Sequence, residues 1–337
     1  MKPFVEIVKN FPGLYEYFAR TNCLLSLRST PFMSMTTACP APPFSNVLTT
    51  WPKSGNHAQA LALAAHTFQI PSYIVMPSIS TPSKIAGTRL YTSNVIFSGS
   101  TSQEREAVVQ KVIAERGAIL VPPYDHPDII LGQATVGLEM EEQFQELTGQ
   151  EKGFDAVVAP IGGGGFLGGI ATWFADKPST LVFGAEPSFQ GADDARRGLL
   201  AGKRIETVKS LTIADGLRTP VGLVNWGIIS DKTKLEGIYA VSEEEIKAAM
   251  RLVFERMKVV VEPSAVVPLA VVLFNPEFRQ WVAERQQGKT WDVGVVFSGG
   301  NTTMKAISAL FSDDSDARNR SEQTQPEVKL GVNGERR

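Results

Sequence analysis

The run Pro160-Ile161-Gly162-Gly163-Gly164-Gly165-Phe166-Leu167-Gly168-Gly169 is the part of this chain best suited to hold an anion. Consecutive glycines let the backbone approach a ligand with its amides converging, and a helix that follows adds positive potential at its start. A phosphate group fits such a loop; a tight turn where helix and sheet pack closely is the structural alternative. The run is not a nucleotide motif, because it lacks the Lys-Ser/Thr of a P-loop, and Glu186, the acidic residue about 20 positions on, leads straight into Pro187. Two more polar, glycine-containing segments stand in comparable places. Ser54-Gly55-Asn56-His57-Ala58-Gln59-Ala60 opens a helical stretch, and Ser298-Gly299-Gly300-Asn301 follows an apolar run and opens the last helix. Each alone reads as a helix cap. Three such loops at the carboxyl ends of parallel strands point to one shared crevice.

The elements that must position these loops are legible from about residue 54 onward. Short β-branched runs at Ser72–Met76, Asn94–Phe97, Ala118–Val121, Ala156–Ala159, Leu181–Ala185, Gly237–Val241 and Val293–Phe297 predict strands. Helical patterns at 56–68, 101–115, 128–148, 242–257 and 263–274 lie between them. This alternation predicts an α/β fold with parallel open sheets. Ser242-Glu243-Glu244-Glu245 predicts a capping box, in which serine and the third helical residue satisfy each other's amides.

Composition narrows the partners. With 337 residues, 43% apolar and 20% charged, the chain is long enough for roughly two domains that bury about three quarters of their unfolded surface. The net charge of −2 has no large block of one sign, so there is no electrostatic footprint for nucleic acid or an anionic membrane. Residues 156–175 carry no charge over twenty positions, but the glycines in their middle would destabilise one continuous helix by about 1 kcal/mol each. A strand, a turn and a helix are predicted there instead. Cys23 and Cys39 with His57, His66 and His126 have no zinc-site spacing, and the N-terminus has no apolar signal stretch, so a cytoplasmic setting is expected.

Taken in order, SGNHAQA, IGGGGFLGGI, EPSFQGADD, TIADGLRTPVG, VEPSA and SGGN resemble the fold-type II pyridoxal-phosphate enzymes of the serine racemase and serine/threonine dehydratase family, over about residues 53–310. The resemblance implies a two-domain, tryptophan synthase β-like fold with pyridoxal 5'-phosphate in the interdomain cleft. It places the cofactor phosphate on Gly162, Gly163, Gly164 and Gly165, the pyridoxal hydroxyl on Asn56, and the pyridine nitrogen against Ser298. It gives the substrate carboxylate to the Ser54, Asn56 and His57 loop, with Arg105 reaching toward it from the smaller domain. Ser54 would also exchange the Cα proton on one face. Glu186, the carbonyl of Ala192 and Asp194 resemble a divalent cation site, oxygen-only as Mg²⁺ or Ca²⁺ prefers, although the stretch between them is about two residues longer than in animal serine racemases. A small amino-acid substrate, lyase or isomerase chemistry and a homodimer are further implications; a β-replacement enzyme is a weaker alternative.

The family's Ser-Phe-Lys-x-Arg-Gly-Ala motif, which supplies the lysine that joins the cofactor covalently, is missing. No lysine occurs between Lys9 and Lys53. Residues 21–52 contain a single charge, Arg28, with prolines at 31, 40, 42, 43 and 52, and show no sustained period. Three readings of this are open: a misplaced exon boundary, a chain that keeps the pocket and binds without turnover, or replacement by Lys53. The expected organisation is therefore an atypical segment over 1–52 that fails to supply the family's strand, helix and lysine, a small α/β domain over 53–125, and a large cofactor-binding domain over 126–311. Residues 312–337, with eleven charges and four aliphatic side chains, are expected to be a disordered tail.

Overall fold

The computed structural model describes residues 21–26, 47–50, 56–80, 82–149, 153–286 and 288–312. In chain order the elements are β1 (Thr21–Ser26), β2 (Val47–Thr50), α1 (Asn56–Thr67), β3 (Ser72–Pro77), α2 (Pro82–Arg89), β4 (Val95–Ser98), α3 (Ser102–Arg116) and β5 (Ile119–Leu120). They continue with α4 (Pro127–Thr148), β6 (Ala156–Pro160), α5 (Gly165–Phe174), β7 (Leu181–Pro187), α6 (Asp194–Ala201), α7 (Leu223–Ile229), β8 (Gly237–Val241), α8 (Glu243–Leu252), α9 (Pro263–Phe274), α10 (Pro276–Gln286) and β9 (Trp291–Val296). The described residues up to Asn301 make one compact unit; those from Thr302 onward belong to a second, which contains a helix over 304–312.

The first unit contains two wholly parallel sheets. One runs β1-β9-β6-β7-β8 and the other β4-β3-β2-β5. Strands β6 and β7 are buried along almost all their length, as parallel strands covered on both faces must be, which explains their continuous apolar composition. Their helices supply the covering layers. Val136, Met140 and Phe144 of α4 and Leu167, Ile170 and Phe174 of α5 form a core with Val157 and Val182. A separate core under β3 joins Leu61, Ala62 and Ala65 of α1 to Ile74 and Met76, and Val109 and Val112 of α3 close the other face on Val75.

The charge-free stretch 156–175 resolves into β6, the glycine loop and α5. No helix among the described residues is long and apolar enough to cross a membrane. The capping box at Ser242 forms: its amide donates to Glu245 Oε2 at 2.7 Å, and Ser242 Oγ accepts from the Glu245 amide at 3.3 Å.

The expectation that residues 1–52 supply no strand is corrected. Thr21–Ser26 pairs along the edge of the larger sheet, in register with Trp291–Val296, and Val47–Thr50 lies inside the smaller one between β3 and β5. A parallel ladder is made by main-chain groups, so segments of six and four residues join a sheet without any long hydrophobic period of their own. Ser54, Lys53, the stretch that ought to carry the lysine motif and the expected tail beyond residue 312 lie outside the described residues.

Candidate active site

The four-glycine loop leaves the carboxyl end of β6 and enters α5, whose first residue is Gly165. Gly164 has φ +91°, a conformation that side chains other than hydrogen rarely adopt. The loop is also too crowded for side chains. A Cβ on Gly162 would lie 2.9 Å from the Gly216 carbonyl oxygen, one on Gly164 2.8 Å from Ile229, and one on Gly165 2.7 Å from the Tyr124 carbonyl oxygen; at Gly163 it would enter the Tyr124 ring. Among the described residues, no acceptor takes the N–H groups of Gly162, Gly163, Gly164 or Gly165. Open amides at the start of a ten-residue helix, on a loop without side chains, fit a phosphate dianion.

The other two loops meet this one through a continuous set of contacts. Gly216, against Gly162, donates its amide to Ser264 Oγ at 2.9 Å at the start of α9. Two residues earlier, Glu262 accepts from Asn56 Nδ2 at 2.8 Å and from the Asn301 amide at 3.1 Å. Asn301 Nδ2 in turn donates to Asn56 Oδ1 at 2.8 Å. The first residue of α1 is thereby tied to the loop that follows β9. Ser298 sits in that loop, half-buried, and its hydroxyl has no protein partner among the described residues. Hence Asn56, the Gly162–Gly165 loop and the loop carrying Ser298 are joined through Asn301, Glu262, Ser264 and Gly216.

Glu262 was not singled out in the sequence, although VEPSA contains it. It is 5% exposed, and burial, followed by the nearby Asp215 charge, pushes its carboxyl above the usual range. The signal that could have found it is weak: one acid before a helix-opening proline reads as a helix start. Lys84 is a second unanticipated neighbour, joined to Asp215 Oδ2 at 3.1 Å, so that α2 is fastened to the segment carrying Gly216.

His57 lies inside α1, 7% exposed, with Nε2 3.4 Å from the Val121 carbonyl. Burial lowers its pKa to about 4, so the ring is neutral at pH 7 and brings no charge to the crevice. Arg105 lies in the first turn of α3 and reaches back to the Ser100 carbonyl at 3.5 Å.

Glu186 and Asp194 are brought together and buried. The two oxygens of Glu186 accept the amides of Ala195 and Arg196 at 3.0 and 2.9 Å, which fixes the first turn of α6 on the end of β7. Asp194 Oδ2 accepts the Val221 amide at 3.0 Å, and the next amide, of Gly222, donates to the Gly163 carbonyl at 3.0 Å. This pair therefore adjoins the glycine loop. Burial, with the Asp194 charge next, holds the Glu186 carboxyl well above its ordinary range; burial raises Asp194 to about 6. Between them the chain makes a short turn, Phe189–Gly191, with positive φ at Gln190 and Gly191. Among the described residues no three His, Cys, Asp or Glu side chains are grouped to hold a metal.

The family described as "Pyridoxal-phosphate dependent enzyme" matches residues 46–310. A serine racemase of Arabidopsis thaliana is 40% identical over 259 residues, 77% of this chain and 74% of that protein. An L-threo-3-hydroxyaspartate ammonia-lyase of Saccharomyces cerevisiae is 36% identical over 265 residues, 78% and 75% of the two chains. Among solved structures, maize serine racemase superposes with a TM-score of 0.75 at 30% identity, covering 90% of this chain and 91% of that one. The serine racemase of Dictyostelium discoideum gives 0.69 at 34%, covering 81% and 83%, and a threonine deaminase gives 0.70 at 34%, covering 86% and 97%.

Proposed function

Because the chain belongs to the pyridoxal-phosphate dependent enzyme family, we propose that it acts on a small β-hydroxy amino acid as a serine racemase or a serine/threonine dehydratase. The observation that carries this reading is the side-chain-free loop Gly162–Gly165, its amides open at the start of α5 and its connection to Asn56 and the loop carrying Ser298. When bound, pyridoxal phosphate supplies an electron sink for the charge left at Cα.

The protein's part is binding, orientation and proton movement. The loop amides and the α5 dipole hold the phosphate. Asn56, with one Nδ2 hydrogen on Glu262 and its oxygen on Asn301, keeps its other Nδ2 hydrogen for the pyridoxal hydroxyl. Ser298 offers the pyridine nitrogen a neutral hydroxyl, which does not keep that nitrogen protonated as a carboxylate would. The amides at the start of α1 face the substrate carboxylate, Arg105 approaches it from α3, and Ser54 moves the Cα proton. Glu186, the Ala192 carbonyl and Asp194 would hold Mg²⁺ or Ca²⁺; the repulsion between two buried carboxylates supports this, since a cation would relieve it. A small part over 53–125, a large part over 126–311, a homodimer and a cytoplasmic setting complete the proposal.

The missing Ser-Phe-Lys motif favours one second reading, a family member that binds the cofactor without turnover. Incubation of the purified chain with pyridoxal phosphate and L-serine, with D-serine, pyruvate and ammonia measured, tests the first. Formation of any of these products supports it, and none at full cofactor occupancy refutes it. Borohydride reduction of the cofactor absorbance, with Lys53→Ala beside the wild type, separates the two: a reducible band lost in the variant assigns the amine to Lys53.

A further inference from the structure

We propose that Asn225 is the positioning residue that makes the four-glycine loop selective for a phosphate monoester. The inference rests on the reading of that loop as a phosphate site and deepens it. A peptide loop presents carbonyl oxygens as readily as amides, and an oxygen turned toward a phosphate repels it. What must be explained is what fixes the direction of the loop's peptides.

Asn225 lies in α7 and is fully buried. Its Nδ2 donates to the Gly163 carbonyl at 2.7 Å and to the Tyr124 carbonyl at 3.2 Å. The Gly222 amide donates to the same Gly163 oxygen at 3.0 Å. In a trans peptide the C=O and the following N–H point in opposite directions. Tying Gly163 C=O to Asn225 and Gly222 therefore turns Gly164 N–H the other way, away from the start of α7. Gly164 is also the residue with φ +91°, where a peptide flip is easiest because there is no side chain to oppose it. Drawing back the Tyr124 carbonyl matters for the same reason, since that oxygen borders Gly165.

The carboxamide is itself held. Asp125 accepts the amides of Leu223, Val224 and Asn225 at 2.9, 3.0 and 3.2 Å, fixing the start of α7 beside Tyr124. Asn225 Oδ1 has no hydrogen-bond partner among the described residues. A buried acceptor left unpaired is unfavourable, but rotating the amide would turn its oxygen onto the Gly163 and Tyr124 carbonyl oxygens, which already accept the Gly222 and His126 amides. The side chain is thus placed for what its nitrogen does.

The test compares pyridoxal phosphate with pyridoxal, which lacks only the phosphate, by quenching of tryptophan fluorescence in the full-length chain. Asn225→Leu keeps the volume without donors, and Asn225→Asp keeps the shape but faces two carbonyls with oxygen. Both are expected to weaken pyridoxal phosphate binding by about ten- to a hundredfold, the equivalent of two lost hydrogen bonds, while pyridoxal binding is unchanged. Inorganic phosphate should compete with pyridoxal phosphate in the wild type and lose that ability in both variants. Equal weakening of both ligands, or no weakening of either, overturns the inference while leaving the phosphate site standing. A wild type that does not prefer pyridoxal phosphate over pyridoxal overturns the phosphate reading and this inference together. If circular dichroism shows that both variants fail to fold, Asn225→Ser, which keeps one donor, is judged by the same ratio: a selective partial loss upholds the inference and an unchanged ratio refutes it.

Discussion

Replacing Asp194 by Asn should flatten the pH dependence of stability between about pH 4 and 6, in a direction opposite to that of an ordinary salt-bridged carboxylate. Asp194 is 3% exposed, accepts the Val221 amide at 3.0 Å and lies beside Glu186. Burial raises its carboxyl from 3.8 to about 6, so the folded protein binds this proton more tightly than the unfolded chain does. The contribution is complete below the unfolded value of 3.8 and is lost as pH rises through about 6. A shift of about two units corresponds to about 3 kcal/mol at 1.36 kcal/mol per unit. Glu186, whose carboxyl is also raised by burial and then by the Asp194 charge, adds a loss of the same sign as pH rises. Urea unfolding of wild type and Asp194→Asn at pH 4, 5, 6 and 7, at fixed ionic strength with EDTA, isolates this group from the other carboxylates. The stability of the variant relative to the wild type should grow by up to about 3 kcal/mol across that range. Curves that stay parallel would refute the reasoning. Repeating the pH 7 measurement with Mg²⁺ or Ca²⁺ should stabilise the wild type and leave the variant nearly unaffected, because a bound cation offsets the carboxylate repulsion by linkage.

Other expectations follow from single contacts. Gly163→Ala should abolish selective binding of pyridoxal phosphate and cost about 1–3 kcal/mol in urea unfolding, because the new methyl enters the Tyr124 ring; Gly117→Ala, with φ +61° but open space, should leave binding unchanged. Asn56→Ala should lower stability by about 1–3 kcal/mol by removing a donor from buried Glu262, and should weaken pyridoxal and pyridoxal phosphate alike, as seen by fluorescence titration. Ser242→Ala should cost about 1 kcal/mol in thermal or urea unfolding, through loss of the α8 cap, with cofactor affinity unaltered. Lys84→Met should cost at most about 1 kcal/mol, less at high salt, because the pair with Asp215 is partly solvent-exposed; a double-mutant cycle with Asp215→Asn measures the coupling.

Much of the fold could be read locally. The alternation of short apolar runs with helical patterns placed β3 to β9, α1, α3, α4, α8 and α9 within a few residues, because a buried parallel strand and a helix carry different periods. The glycine loop was legible for a related reason: no other residue tolerates its crowding or its positive φ. β1 and β2 were not, since a ladder of main-chain hydrogen bonds leaves little trace in side-chain type. Asn225 and Glu262 were hidden for a different reason. Their roles rest on partners 62 and 206 positions away in the chain, and nothing adjacent to them reports such contacts.

The sequence by itself determined the α/β class, the order of the glycine-containing loops and the absence of a lysine between Lys9 and Lys53, all of which depend on residue type and near-neighbour spacing. Tertiary structure alone decided that the three loops are joined through Glu262, Ser264 and Gly216, that Glu186 and Asp194 are buried beside the glycine loop, and that His57 is neutral. It also decided which way the loop's peptides point. Those properties belong to distance, burial and orientation, which arise only when segments far apart in the chain exclude water from between them.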